Sequence, residues 1–310
     1  MRVTDVQGEA LFVADLERLC AEAVQRAVPD GGKALPETTP EIRFEKVTYT
    51  YPGKETPSLR DVDLVIPRGK TVALVGKNGS GKSTLVSLLS GVRLPSSGQV
   101  LWGGVSTAEA DRAQLFGRVA IVAQDFFRWP FTARVNIGIG RSDVRWDDEA
   151  IRDAAAYAGA DEVIAGLPRG LDSLLGRGYK GGQEISGGQW QKLGLARARF
   201  RHGELLIVDE PTSALDAAAE QRVFDQIHRL ADKGQTTVLI THRLASARHA
   251  DVIYVLDEGR VVETGTFTEL MDPAIGTGAF RDAYELQARQ YETAPVPPPR
   301  DRAAEPKSRR

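Results

Sequence analysis

An α/β fold with a mostly parallel sheet and a helical subdomain follows from three features of the chain, and an antiparallel β edge is expected with it. Short apolar runs alternate with helical patterns along most of its length, as strands buried on both faces do when joined by crossover helices. The stretch from about 125 to 202 has no strand-like run and is rich in Ala and charge. Between one apolar run and one helical run lies a glycine-rich turn, Gly76 to Gly81.

Residues 1–40 read as an N-terminal helix and a linker. Over 9–28, Leu11, Phe12, Leu16, Leu19, Cys20 and Ala23 fall near helical spacing, and the Gly- and Pro-rich segment 29–40 ends that helix. Its apolar face either packs on its own domain or docks on a partner, because amphipathicity does not identify what a face meets. One large domain is expected over 41–291. Strand-like runs occur at 42–48, 62–66 and 71–76, a helix opens at Gly81, and further runs follow at 119–122, 205–208, 237–240 and 252–256. The segments DDEAIRDAAAYAGADEVIAGL and GGQWQKLGLARARF make the helical subdomain. The tail 292–310 is rich in Pro and charge and is expected to be disordered.

Forty Lys and Arg face 42 Asp and Glu, a formal charge of −2. No global basic field therefore argues for a nucleic-acid partner. The lone Cys20 excludes an intramolecular disulfide and a Cys-rich metal site. Charges interrupt the apolar residues of MRVTDVQGEALFVADLERL, unlike a secretory signal. No run of 18 apolar residues could span a bilayer unaided. A cytosolic protein, or one peripheral to a membrane through a partner, is expected.

Gly76, Lys77, Asn78, Gly79, Ser80, Gly81, Lys82 and Ser83, followed by Thr84, satisfy G-x-x-x-x-G-K-[ST] at every position. Context supports the match: TVALVG leads in as a strand and KSTLVSLL leaves as an amphipathic helix. Such glycines let successive N–H groups turn inward as an anion nest, and the helix N-terminus adds free donors and a positive dipole end. Lys82 is expected on the β- and γ-phosphates and the Ser83 hydroxyl on Mg²⁺. A P-loop NTPase core of the RecA-like kind follows, but not which NTPase.

The run ELLIVDE is an apolar strand ending in two carboxylates. A parallel strand presents its carboxyl end at the ligand-binding edge, so Asp209 suits Mg²⁺ beside Ser83. Glu210 suits the water that attacks the γ-phosphate, orienting it and accepting its proton.

Upstream, Ile185 precedes Ser186, Gly187, Gly188 and Gln189 and a helical WQKLGLARARF. This resembles the LSGGQ signature of ATP-binding-cassette proteins, with Ile185 for Leu, a change expected to affect packing rather than phosphate contact. The resemblance implies head-to-tail dimerisation, with each ATP between the P-loop of one subunit and the signature of the other. Tyr51 resembles the aromatic that stacks on adenine. Gln124 resembles the glutamine that senses Mg²⁺ and water. Asp216, in SALD, resembles the residue that communicates across the dimer, and His242, in LITHR, the histidine on the γ-phosphate. The match covers about 41–290 and is nearest to exporter cassettes, in which membrane helices precede the cassette; EALFVADLERL resembles the connecting helix. It departs from them at 176–184, where only Glu184, next to the signature, is acidic.

The resemblance implies an ATP- and Mg²⁺-dependent ATPase at the cytoplasmic face of the cell membrane. Its partners would be a transmembrane domain or subunit and a second ATPase subunit, identical or different. A DNA- or ribosome-directed cassette fits less well, because the chain has one cassette and no room for a coiled coil between Lys82 and Ile185. The aromatics Phe126, Phe127, Trp129 and Phe131 are either an interface, if exposed, or subdomain core.

Overall fold

The computed structural model describes residues 13–20, 31–123, 127–141, 144–209 and 234–293. Its order is α1 (13–20), β1 (Glu41–Tyr49), β2 (Leu59–Pro67), β3 (Thr71–Val75), α2 (Lys82–Leu89), β4 (Ser97–Trp102), β5 (Val105–Ser106), α3 (Arg112–Gly117), β6 (Val119–Val122), α4 (Ala133–Gly138), α5 (Asp148–Tyr157), α6 (Asp161–Ala165), α7 (Gly187–Arg201), β7 (Leu205–Asp209), β8 (Thr236–Thr241), β9 (Val252–Asp257), β10 (Arg260–Gly265), α8 (Phe267–Met271) and α9 (Ala279–Thr293). All residues of α1 are exposed. Among the described residues no helix is long and apolar enough to cross a membrane.

Two sheets carry the domain. The larger has the order β10-β9-β3-β8-β7-β6. Of its five pairings four are parallel, β3 with β8 and β9, and β7 with β8 and β6; in the fifth, β10 closes the edge antiparallel to β9. The smaller sheet, β2-β1-β4-β5, is antiparallel throughout. The apolar runs read from the sequence lie on these strands. β4, β5 and β10 do not announce themselves: the first three residues of β4 are exposed, β5 has two residues, and RVVETG presents a polar edge.

Strand alternation sorts side chains between two cores. On β7, Leu205 and Ile207 enter the core shared with the small sheet and α2, whereas Leu206 and Val208 enter the core shared with α4, α5 and α7. All four are buried, so the run is continuously apolar. On β3, Val72 and Leu74 join that first core, and Ala73 and Val75 a third one under α8 and α9. The Tyr254 hydroxyl on β9 ties the sheets together: it donates to the Val65 carbonyl (2.9 Å) and accepts the Val65 N–H (3.0 Å).

The segment before β1 is fastened to the domain. Leu35 and Thr39 are buried, and Lys33 exchanges backbone hydrogen bonds with Glu109 and Asp111. Thr39 N–H donates to Glu204 (2.6 Å), whose other carboxylate oxygen pairs with Arg118 at 3.2 Å.

From 127 to 202 the described residues form only helices, turns and isolated bridges. α7 runs through the middle of this subdomain, burying Trp190, Leu193, Leu195, Ala196, Ala198 and Phe200. Buried Asn136 donates to the carbonyls of Trp129, Phe131 and Thr132 and shapes the loop before α4. Arg197 braces it from α7 through the Asn136 backbone carbonyl (2.8 Å).

Candidate functional site

Register brings the sequence-predicted residues to one edge. Val75, at the end of β3, pairs with Thr241 on β8 and with Val255 on β9, and Asp209 at the end of β7 pairs with Ile240. Gly76, His242 and Asp209 thus emerge together at the carboxyl ends of parallel strands, where open α/β sheets bind ligands.

The turn after β3 requires glycine. At Gly76 φ is 152°, and a Cβ would lie 2.2 Å from the Leu256 carbonyl oxygen. At Gly81, φ 105°, a Cβ would meet the Ser58 carbonyl oxygen at 2.8 Å. Gly81 then caps α2 without any side-chain hydrogen bond, and no acidic residue occupies the first turn. The first N–H groups of a helix have no intrahelical acceptor. With the dipole's positive end they favour an anion.

Lys82 is buried, and its Nζ donates to the carbonyls of Gly76 (2.7 Å) and Lys77 (2.9 Å). The ammonium thereby spans the loop. Ser83 is exposed and Thr84 buried. The Thr84 hydroxyl lies 3.1 Å from that of Tyr51. The Tyr51 ring stands edge-on to Tyr49 at 5.0 Å, with the Arg93 guanidinium 4.9 Å from its centroid.

Tyr51, Asn78, Gly79, Gly81, Lys82, Ser83, Thr84 and Asp209 share one cavity of about 880 Å³. Lys54, Arg60 and Glu258 also line it, and no motif in the sequence marks them. Arg60 is the second residue of the ordinary run LRDVDLVIP, so nothing local marks it. Its Nε is buried without a hydrogen-bond partner, and its charge faces the same space as Lys82.

These residues fit a Mg²⁺–triphosphate. Mg²⁺ is held by few protein oxygens and completes its shell with phosphate oxygens and water. The Asp209 carboxylate and the Ser83 hydroxyl both line the cavity and are oxygen donors suited to that ion. Among the described residues no cluster of three His, Cys, Asp or Glu side chains forms a separate metal cage.

Ser186, Gly187, Gly188 and Gln189 lie elsewhere and do not line that cavity. They form the tip of α7. Ser186 is its N-cap in a reciprocal capping box: Ser186 Oγ accepts the Gln189 N–H (3.3 Å), and Gln189 Oε1 accepts the Ser186 N–H (2.8 Å). Ser186, Gly187 and Gly188 are exposed, whereas Ile185 is buried in the subdomain core. Glu184 forms an exposed ion pair with Arg177 at 3.2 Å.

His242 follows β8 and is exposed on the other flank of the glycine turn. It borders a second cavity, of about 630 Å³, with Gly76, Lys77 and Asn78 on one wall and α9 on the other. Gln124, Glu210 and Asp216 lie outside the described residues, as does Phe126. Phe127, Trp129 and Phe131 make a surface stack, with centroids 4.5 Å and 6.1 Å apart; Phe127 is 67% and Phe131 44% exposed.

Known proteins resemble this chain in sequence and in fold. The ABC transporter family model matches residues 59–213, half of the chain. The chain is 42% identical over 258 residues to the ATP-dependent lipid A-core flippase of Chromobacterium violaceum, covering 83% of this chain and 43% of that protein. The flippase of the same name from Escherichia coli K12 is 37% identical over 261 residues, covering 84% and 44%. A solved structure of a bacterial Atm1-family ABC exporter with ATP bound superposes with a TM-score of 0.80 at 30% identity, covering 91% of this chain and 48% of that one. The chain spans less than half the length of these relatives. It belongs to the ABC transporter family and corresponds to the family's nucleotide-binding domain.

Proposed function

We propose that this chain binds and hydrolyses ATP to power an exporter-type ABC transporter. It acts through a transmembrane domain or subunit at the cytoplasmic face of the membrane, as one of two ATPase subunits paired head to tail. The observation that carries the reading is the single cavity in which a glycine cradle, the buried Lys82, Ser83, Asp209 and Tyr51 meet at the strand ends. The flippase and exporter names of the relatives support transport as the task and export as its direction.

ATP binding requires Lys82 to exchange two loop carbonyls for β- and γ-phosphate oxygens, an exchange of neutral acceptors for charged ones that strengthens each bond. The N–H groups of Asn78 to Ser83 surround the phosphates, and Tyr51 offers a ring face to adenine. Ser83, Asp209 and Gln124 would hold Mg²⁺, which would supply positive charge against the negative charge developing on the phosphates. Glu210 orients a water in line with the γ-phosphorus and takes its proton. The new P–O bond forms as the bond to the bridging oxygen breaks, and ADP leaves. His242 donates to the γ-phosphate from the neighbouring strand end. Ser186, Gly187, Gly188 and Gln189 would face the partner's ATP, and Asp216 would communicate across the same junction. The exposed Phe127–Trp129–Phe131 stack offers an apolar contact for the membrane partner.

Lys82→Ala tests the reading. Loss of charge-assisted phosphate contacts of about 1.5–3 kcal/mol should weaken Mg·ATP binding by roughly ten- to a hundredfold. Titration calorimetry on the 310-residue chain measures it, and an unchanged affinity refutes the site.

A further inference from the structure

α9 does more than cover the sheet. Its side chains Phe280, Tyr284 and Gln287 fall on one helical face, at i, i+4 and i+7. Phe280 is fully buried, stacking with Tyr284 and edge-on to Phe267 at 5.7 Å. The start of the helix is pinned by the buried Glu263, which accepts the N–H groups of Phe280 (2.7 Å) and Gly278 (3.3 Å).

The third residue of that face meets the loop after β8. Gln287 Nε2 donates to the His242 carbonyl at 2.8 Å, and Gln287 Oε1 accepts the Leu244 N–H, also at 2.8 Å. Between them, the Arg243 N–H is taken by the buried Thr241 hydroxyl at 2.9 Å. An uncharged primary amide can donate and accept at once with both atoms in one plane. Gln287 therefore acts on this loop as an added peptide group would, fixing the backbone on both sides of residue 243. With the His242 carbonyl and the Leu244 N–H both held, the backbone from which the imidazole departs cannot rotate without breaking one of these bonds.

We infer that Gln287 is a positioning residue for His242, clamping its loop so that the imidazole stands at the phosphate end of the P-loop. The inference rests on the proposed role of His242 in ATP hydrolysis. A loosened clamp leaves the Lys82 and Tyr51 contacts in place, since neither Gln287 nor α9 lines their cavity; α9 meets only the start of the glycine turn, across the second cavity. Its effect belongs to turnover rather than to binding.

Gln287→Ala in the full chain is the test, with Glu285→Ala as the control from the exposed side of the same helix. Misplacing a catalytic group lowers rate steeply. Gln287→Ala should therefore lower kcat for Mg·ATP by about tenfold and leave KM within about twofold. Hydrogen exchange of the Leu244 amide should accelerate, and Glu285→Ala should behave as wild type. A wild-type kcat in Gln287→Ala, or a KM that rises as far as kcat falls, overturns the inference. His242→Ala is measured alongside. Should it retain wild-type turnover, the reading of the site fails, and the exchange rate of the Leu244 amide still decides whether Gln287 holds the loop.

Discussion

At the scale of single residues, the site divides into what adjacent letters encode and what only folding assembles. The cradle was legible because its residues are adjacent in sequence: glycines, then a lysine and a hydroxyl at the mouth of a helix. Gly76 and Gly81 take positive φ there, 152° and 105°, but the backbone that a Cβ would strike, at Leu256 and Ser58, is distant in sequence. Lys54 was not legible because it sits in an ordinary turn after Tyr51. Arg60 and Glu258 were not, since the 58–60 and 258–259 segments meet only in the fold, as when the Arg60 N–H meets the Gly259 carbonyl at 2.8 Å. Gln287 was hidden for the same reason, lying more than 40 positions from its partners. Glu210 follows Asp209 directly in sequence and is proposed as the base. Gln at that position keeps the size and loses the proton acceptor, so Glu210→Gln should bind ATP, fall in turnover by about 10²-fold or more and accumulate as an ATP-bound dimer. Equilibrium binding with size-exclusion chromatography measures this, and rapid turnover by the variant would reject the role.

Elements were legible in proportion to how completely they are buried. β3, β7, β8 and β9 read as apolar runs because both their faces are covered. β10 escaped notice because an edge strand can alternate with charge, here Arg260 and Glu263. Yet Glu263 is itself buried, and its partners are the first N–H groups of α9. Truncating it leaves two buried donors unsatisfied. Glu263→Ala should destabilise the chain by roughly 1–3 kcal/mol, read as a lower midpoint in chemical denaturation. A midpoint equal to wild type would show that α9 is held by its aromatic residues alone.

The whole molecule carries two glycine-bearing helix starts, the cradle at the strand ends and the exposed tip of α7, and they do not share a cavity. In the proposed function each would serve the same ATP only when two chains pair head to tail. The Ser186 hydroxyl accepts a hydrogen bond from its own helix and keeps its O–H to donate, so in the proposed pairing a partner's phosphate would meet that hydroxyl and the glycine amides. Ser186→Arg removes the capping box and places bulk and charge on that surface. In mixed dimers with one altered subunit, hydrolysis should fall at the P-loop of the unaltered partner, by about tenfold or more. Dimers in which the partner's P-loop alone is competent provide the assay, and full activity there would contradict the pairing.

The continuous burial of β7 has a consequence for how such a domain can vary. Leu205 to Val208 have no free flank, so drift there is confined to exchanges of equal bulk. Any polar novelty must be placed beyond the last paired residue. Chemistry in this fold is thus rewritten at the rim, one position past the foundation, while the strands beneath remain interchangeable only with their like.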